Sequence, residues 1–385
     1  MKKQVLIVLV MLCNVLSAWP CTSAIVSGKK TLNGRPLLWK HRDTGCPDNR
    51  VERIAGHDGL YSFVAIYDAT DPTDTAAWTG FNEKGFAIMN TASYNLNNDS
   101  VPESSMDREG VVMKMALERC VTVDDFETLL FNLPKPMGVE ANFGVIDAQG
   151  NGAYFETSNF DYKKYDLADS PTGVLTRTNY SYGGRADEGM GYIREENEKR
   201  LIFQHISAGD FAPWIFTEYL SRTFYHSLLG KDFTNSGDEW IVDQDFIPRR
   251  SSTASCVIEG ILPGEDPALT TMWIALGYPP CAEVFAVRCN DLLGPGVPAE
   301  LTGQGENNHS PQCDLVKSRR DEVFGISRGN GSHYINLSKL YNKEGTGYCQ
   351  QLIPKNMETY KQENAKREQL KQMLENGKRS RSVKK

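Results

Sequence analysis

Cys21 is the residue with the most chemistry to offer in this 385-residue chain. It follows a short apolar leader and opens the run Cys21-Thr22-Ser23-Ala24-Ile25-Val26. Removal of the leader would put its thiol on the first residue of the mature chain, beside a free α-amine. That amine titrates near pH ~7.7–8.0 and can take the thiol proton directly or through one water, so an N-terminal Cys carries its own base. No partner histidine is then needed. The chain's six histidines (His41, His57, His205, His226, His309 and His333) are scattered, and none is assigned to catalysis. A papain-type site is poorly supported, because no Cys-Gly-Ser-Cys-Trp run occurs.

The leader has the parts of a signal peptide. Met1-Lys2-Lys3 is its positive start, Val5 to Leu12 its apolar stretch, and Ser17-Ala18 its small residues before a cut. The apolar stretch is shorter than the about 20 residues that span a bilayer, and no later segment qualifies. Residues 1–20 are therefore expected to be a signal peptide or propeptide, and the mature protein to be exported to a periplasm or beyond the cell. Cleavage after Ala18 would leave Trp19-Pro20 in front of Cys21. Proline blocks ordinary trimming, so an Xaa-Pro dipeptidyl aminopeptidase or self-cleavage would have to finish. Lipidation of Cys21 is the competing fate, although Trp19 and Pro20 are poor residues for a lipobox.

The net charge of -7 argues against nucleic acid as the main partner. Nine cysteines are present; Cys13 leaves with the leader. In an exported protein some of the rest should pair, and closeness in sequence favours Cys281 with Cys289 and Cys313 with Cys349. No Cys-x-x-Cys or His-x-x-x-His spacing occurs, so neither a metal site nor a cofactor is expected. The last segment, 355–385, carries ten Lys/Arg against four Glu. It reads as a solvated basic tail, helical or frayed. A weak stripe of Tyr360, Leu370 and Met373-Leu374 is the alternative, with contact to anionic lipid or surface polymer.

Strands are expected at Thr22 to Val26 and Pro36 to Trp39, joined through Asn33-Gly34, then at Leu60 to Tyr67. Thr79 to Asn90 reads as a hairpin turning at Asn82-Glu83-Lys84-Gly85. Helices follow from Asp107 to Cys120 and on to Leu130, the second opened by a Thr122/Asp125 capping box. Strands return at Asn142 to Asp147, Gly152 to Thr157 and Gly173 to Thr178. Tyr192 to Ile206 is helical, and Ala254 to Glu259, Thr271 to Leu276 and Val284 to Arg288 are late strands. Such grouping predicts a layered α+β domain over 21–354.

The patches Cys21-Thr22-Ser23, Gly34 to Asp43, Asn82-Glu83-Lys84-Gly85 and Thr176-Arg177-Thr178-Asn179, in this order, resemble the N-terminal-nucleophile (Ntn) hydrolases. The resemblance is to the cysteine branch that includes isopenicillin N acyltransferase, penicillin V acylase, choloylglycine hydrolase and acid ceramidase, and it runs to about Gly277. It implies a four-layer αββα sandwich acting on linear amides by acyl transfer, usually to water. It also implies roles. Cys21 matches the nucleophile and Asp43 the aspartate that holds the α-amine. Lys40 stands where many relatives have Arg, with Arg42 as a substitute. Asn90 matches the oxyanion Asn, Asn179 the second Asn, and Arg200 a late Arg, with Arg194 as competitor. Tyr94, Tyr180 and Tyr182, neighbours of the two Asn in sequence, are candidates for the substrate site. Taken from the residues alone, Asp43 has strand capping as its lesser alternative, Asn90 and Asn179 could be turn residues, and Arg200 could simply pair with Glu196.

The expected function is thus an exported amidohydrolase that cleaves a linear N-acyl amine or N-acyl amino acid through an acyl-enzyme. An Ntn dipeptidase is the first alternative, since such relatives also open with Cys-Thr and a Gly-Lys-Lys stretch like Gly28-Lys29-Lys30. An acyltransferase to an amine acceptor and a non-catalytic exported binding protein are the others. The expected partner is a small-molecule amide, with homo-oligomer formation possible.

Overall fold

The computed structural model describes residues 20–330 and 332–382. The leader, Cys13 and the expected cut after Ala18 lie outside the described residues. Two antiparallel sheets dominate the rest. The first has strands β1 (Thr22–Val26), β2 (Leu37–Asp43), β10 (Val174–Arg177), β14 (Ser252–Glu259), β15 (Thr271–Leu276) and β16 (Val284–Val287), in the order β10-β1-β2-β14-β15-β16. The second is a meander in chain order: β3 (Asn49–Ile54), β4 (Phe63–Asp68), β5 (Thr79–Asn82), β6 (Ala87–Ala92), β7 (Ala141–Ile146), β8 (Gly152–Thr157) and β9 (Tyr162–Asp166). Two short ribbons, β11 (Tyr225–His226) with β12 (Lys231–Asp232) and β13 (Trp240–Val242) with β17 (Tyr334–Asn336), stand apart.

The period-2 alternation of side chains sorts these strands into layers. Ile25 and Leu38 of the first sheet meet Val64, Ile66 and Met89 of the second in a core between the sheets. The alternate residues Ala24, Val26, Trp39 and Trp273 face outward into a second core under helices α3 (Tyr192–Ala208), α4 (Pro311–Val323) and α5 (Tyr348–Ser382). Phe63, Ile88, Phe143 and Phe155 face the other way, under α1 (Glu109–Arg119) and α2 (Val123–Asn132). The molecule is therefore the expected α+β sandwich with layers αββα. A strand buried on both faces reads as a continuous run, and all seven residues of β2 are buried, including Lys40, His41, Arg42 and Asp43. Charged residues in such a strand are costly unless something offsets their burial, which points to the end of β2 as a place of chemistry.

Local signals set several boundaries. Gly85 holds φ 80° in the Asn82–Gly85 turn, a conformation that favours glycine, while Asn82 Oδ1 accepts the Lys84 and Phe86 N–H groups at 3.0 and 3.2 Å. The Thr122/Asp125 capping box is formed, with Asp125 N donating to Thr122 Oγ1 at 3.1 Å and Thr122 N to Asp125 Oδ2 at 2.9 Å. Such a cap is worth ~1 kcal/mol.

Other expectations change. The strand expected at Pro36 to Trp39 runs on to Asp43, and β3 and β9, each rich in charge, escape a reading based on apolar runs. All eight described cysteines are free thiols, so the pairings Cys281–Cys289 and Cys313–Cys349 are not made. Cys289 and Cys313 lie between the sheets, whereas Cys281 and Cys349 lie in the core under the helices. The basic tail belongs to α5, which begins before residue 355. Tyr360 packs on Trp273, Leu370 is buried beside Ile261 and Leu269, and Arg367 pairs with buried Glu259 at 2.6 Å. Acidic groups of the body thus neutralise part of the tail's charge. Among the described residues, no helix is long and apolar enough to cross a membrane.

Candidate active site

Cys21 stands just ahead of β1, and the hairpin register places Thr22 opposite His41 and Ser23 opposite Lys40. On the other side of β2, Ser252 lies opposite Asp43, next to a register shift before Ala254. Such an irregularity re-aims side chains at a strand end. Cys21, Asp43 and Ser252 are thereby gathered at one end of three neighbouring strands. Cys21 is 6% exposed, its thiol reaching the Asp43 carbonyl at 3.7 Å. It lines a cavity of about 760 Å³ together with Lys40, Asp43, Trp78, Asn90 and Tyr94.

Asp43 is held from three directions. Its Oδ2 accepts from Arg249 Nη2 at 3.0 Å, and its Oδ1 accepts from Ser252 Oγ at 2.6 Å and Ser251 Oγ at 3.5 Å. Burial raises its pKa, and the Arg249 guanidinium and the Ser252 hydroxyl oppose that. Arg249 Nη2 also donates to the Pro20 carbonyl at 3.2 Å, so one guanidinium binds both the carboxylate and the peptide that precedes Cys21. Behind Ser252, His41 Nε2 lies 2.8 Å from its Oγ and His41 Nδ1 lies 3.1 Å from Ser221 Oγ. Burial, with Arg249 and Arg194 nearby, keeps this imidazole neutral.

Lys40 is fully enclosed between the sheets and bonds only to neutral groups: Asn90 Oδ1 at 2.7 Å and the Trp78 carbonyl at 3.0 Å. Desolvation lowers its pKa to about 8, with the Cys21 thiol opposing that shift and Arg42 adding to it. Its bond to Asn90 fixes the amide with the oxygen toward Lys40. Arg42 lines the same cavity, yet its charge is matched by Asp68 at 2.9 Å and its guanidinium lies 5.3 Å from the Trp78 ring centroid.

On the opposite side stands Arg194, from the first turn of α3. Its Nη1 donates to the Cys21 carbonyl and, at 2.9 Å, to Thr22 Oγ1, and its Nη2 donates to Asn179 Oδ1 at 2.9 Å. Asn179 Nδ2 in turn donates to the Ala92 carbonyl at 2.8 Å. Burial lowers the Arg194 pKa to about 9, and Arg249 adds to the shift. Gly191 makes room for this side chain: it holds φ 91°, and a Cβ there would lie 2.3 Å from Arg194 Nη2.

The structure thus brings together Cys21, Asp43, Lys40, Asn90, Arg42, Tyr94 and, through Arg194, Asn179. It leaves three candidates elsewhere. Arg200 is exposed on α3, paired with Glu196 at 3.0 Å and with the Tyr225 hydroxyl at 3.2 Å; Arg194, a turn and a half earlier, is the α3 arginine beside Cys21. Tyr180 and Tyr182 both direct their hydroxyls to the buried Glu195 carboxylate, and Arg177 lies 3.8 Å from the Tyr182 ring centroid. They pack beside the site rather than lining it. Arg249 and Ser252 were not singled out from sequence, since Arg249-Arg250-Ser251-Ser252 has no periodicity to mark it. Among the described residues, one set of side chains has metal-ligand spacing, Asp48, His309 and Asp314. Lys317 Nζ already lies 3.1 Å from Asp48.

No protein-family model matches this chain, and no curated protein matches it in sequence. It is similar to several solved structures. One is a Caenorhabditis elegans N-acylethanolamine-hydrolyzing acid amidase ortholog, at 11% identity and TM-score 0.42, covering 64% of this chain and 93% of that one. Another is a mutant of conjugated bile acid hydrolase from Clostridium perfringens, at 11% and 0.41, covering 70% and 92%. A third is penicillin V acylase from Agrobacterium tumefaciens, at 11% and 0.36, covering 70% and 86%. The last two are of kinds that the sequence resemblance names. At such scores the likeness carries no argument about chemistry, which has to come from the residues themselves.

Proposed function

We propose that this chain is an exported amide hydrolase whose nucleophile is Cys21, made N-terminal by loss of residues 1–20. The observation that supports this most is the meeting of Cys21 with Asp43 and Lys40–Asn90 on one cavity, with the Arg194–Asn179 pair bonded to the Cys21 carbonyl beside it. In the processed chain the Cys21 α-amine replaces the Pro20–Cys21 peptide nitrogen, next to the carboxylate that Arg249 and Ser252 orient. The amine takes the thiol proton, and the thiolate attacks the substrate's amide carbon. The Asn90 side-chain N–H, turned away from Lys40, is the candidate donor to the oxyanion, while Asn179 holds the Arg194 guanidinium that binds the Cys21 carbonyl. The α-ammonium then protonates the leaving nitrogen as the C–N bond breaks, leaving a thioester on Cys21. Water, deprotonated by the same amine, releases the acid and restores the thiol. Lys40 keeps a positive charge near the sulfur, which favours the thiolate.

The test is amide hydrolysis by the processed protein and by Cys21→Ala, purified from the same compartment and shown to fold alike. The variant should lose at least about 10³-fold in kcat. Equal rates would refute the nucleophile.

A further inference from the structure

The cavity beside Cys21 is electrically uneven. Its lining carries Lys40, Arg42 and Asp43, of which Arg42 is matched by Asp68 and Asp43 by Arg249. The same lining carries three further carboxylates, Asp107, Glu109 and Glu140. Met106, Met190 and Tyr94 add apolar surface to it. The candidate nucleophile and the acids therefore line one cavity.

The two glutamates are held firmly. Glu109 Oε1 accepts the Glu140 N–H at 2.8 Å, and Glu140 Oε1 accepts the Leu96 and Asn97 N–H groups at 2.7 and 2.9 Å. Glu109 opens α1, a place where the helix dipole normally favours the carboxylate. Burial overrides that and pushes its pKa up to about 7, with Asp107 and Glu140 adding to the shift. Burial raises Glu140 as well, and Arg185 opposes this from beyond the cavity wall. Two adjoining carboxyls with few positive charges to meet are best relieved by a cation that enters the cavity.

We infer that the part of the substrate lodged in this cavity is cationic, an apolar stem ending in an ammonium or guanidinium group set against Glu109 and Glu140. The inference rests on the amide-hydrolase reading for the reaction, but the binding claim can be judged separately.

Three matched amide probes of one chain length test it: a free terminal ammonium, its neutral N-acetyl form and an anionic N-succinyl form. With the processed protein, kcat/KM should be at least tenfold higher for the ammonium probe than for the neutral one, and lowest for the anionic one. Glu109→Gln and Glu140→Gln together keep the Oε1 acceptors and should close the ammonium-to-neutral gap at least fivefold, in KM rather than kcat. Calorimetry on Cys21→Ala reads binding without turnover. The ammonium probe should bind at least tenfold tighter than the neutral one and release protons at pH 7, as a cation beside Glu109 favours its carboxylate. Cys21-dependent hydrolysis with no charge preference, or a preference for the anionic probe, overturns the inference and spares the amidase reading. If no probe is hydrolysed, equal binding of the three to Cys21→Ala overturns it, and binding in the expected order upholds it while the amidase reading fails.

Discussion

Two clefts of nearly the same size lie at opposite ends of the β1 strand. The one at Ser27, beyond its last residue, has about 750 Å³ and is lined by Lys29, Lys30, Asp124, Lys164 and Asp166. The other, at Cys21, has about 760 Å³. In the first, charge meets charge near solvent: Lys164 pairs with Glu127 at 2.8 Å and Asp124 at 3.2 Å. Partial burial disfavours the ammonium there, but the Glu127 and Asp124 carboxylates win and raise Lys164. At the second, besides the Arg42–Asp68 and Arg249–Asp43 pairs, two buried cations bond to neutral groups, Lys40 on its lining to Asn90 and Arg194 beside it to Asn179, and desolvation pulls both pKa values down. Exposed ion pairs contribute ~0–1 kcal/mol each and suit a surface. Buried charges with neutral partners are costly to keep, and they recur where a site must meet charge that arises during a reaction. The contrast favours the Cys21 end as the seat of the proposed chemistry.

That contrast can be broken in order of effect. Asp43→Asn should reduce kcat on the order of 10²–10³-fold with little change in KM, because the amide keeps the Ser252 contact but not the charge. Asn90→Ala should reduce kcat by ~10²-fold or more, the loss typical of one oxyanion donor. A KM effect alone in either variant would move that residue from the reaction to mere binding.

Lys40 gives a prediction about stability. Its folded pKa, about 8, lies below the ordinary value of 10.5, so between these values the unfolded chain binds more protons than the folded one. Stability therefore rises with pH across that window, by an amount on the order of 3 kcal/mol from this group. Urea unfolding at pH 7.5 and pH 10 should show the gain in the parent and its loss in Lys40→Met. An equal gain in both would show that Lys40 is not desolvated in the fold. The smallest effects belong to the other end and the outer surface. Lys164→Ala and Arg200→Ala should each leave kcat/KM within about twofold and stability within about 1 kcal/mol. A large loss of activity in Lys164→Ala would erase the distinction between the two clefts.

Much of this was legible from residue order. Cys21 and the Asn33-Gly34 hairpin led to β1 and β2, the Asn82–Gly85 turn to β5 and β6, and Thr122/Asp125 to α2. Each rests on a local rule that tertiary contacts did not override. The arginines were not legible in the same way. The inward face of α3 carries Arg194, Asn197, Glu198, Leu201 and Ile202, a mostly polar set, so hydrophobic periodicity cannot tell it from the outer face that carries Arg200. Arg249 meets Asp43 across 206 residues of chain from an irregular loop, a proximity that no spacing encodes. The tail was half legible for a related reason: α5 is mostly polar, and its buried residues Cys349, Leu352, Asn356, Tyr360, Arg367 and Leu370 are too widely spaced and too mixed to mark the side that docks.

The central claim is that Cys21, as an N-terminal residue, carries the acyl group. Intact-mass analysis of the protein purified from its native compartment, before and seconds after mixing with an amide substrate, tests it most directly. The account predicts a chain beginning at unmodified Cys21 that gains the mass of the acyl group on its first residue and loses it with time. A catalytically active chain that begins at Trp19, or one whose Cys21 is lipidated, would contradict it.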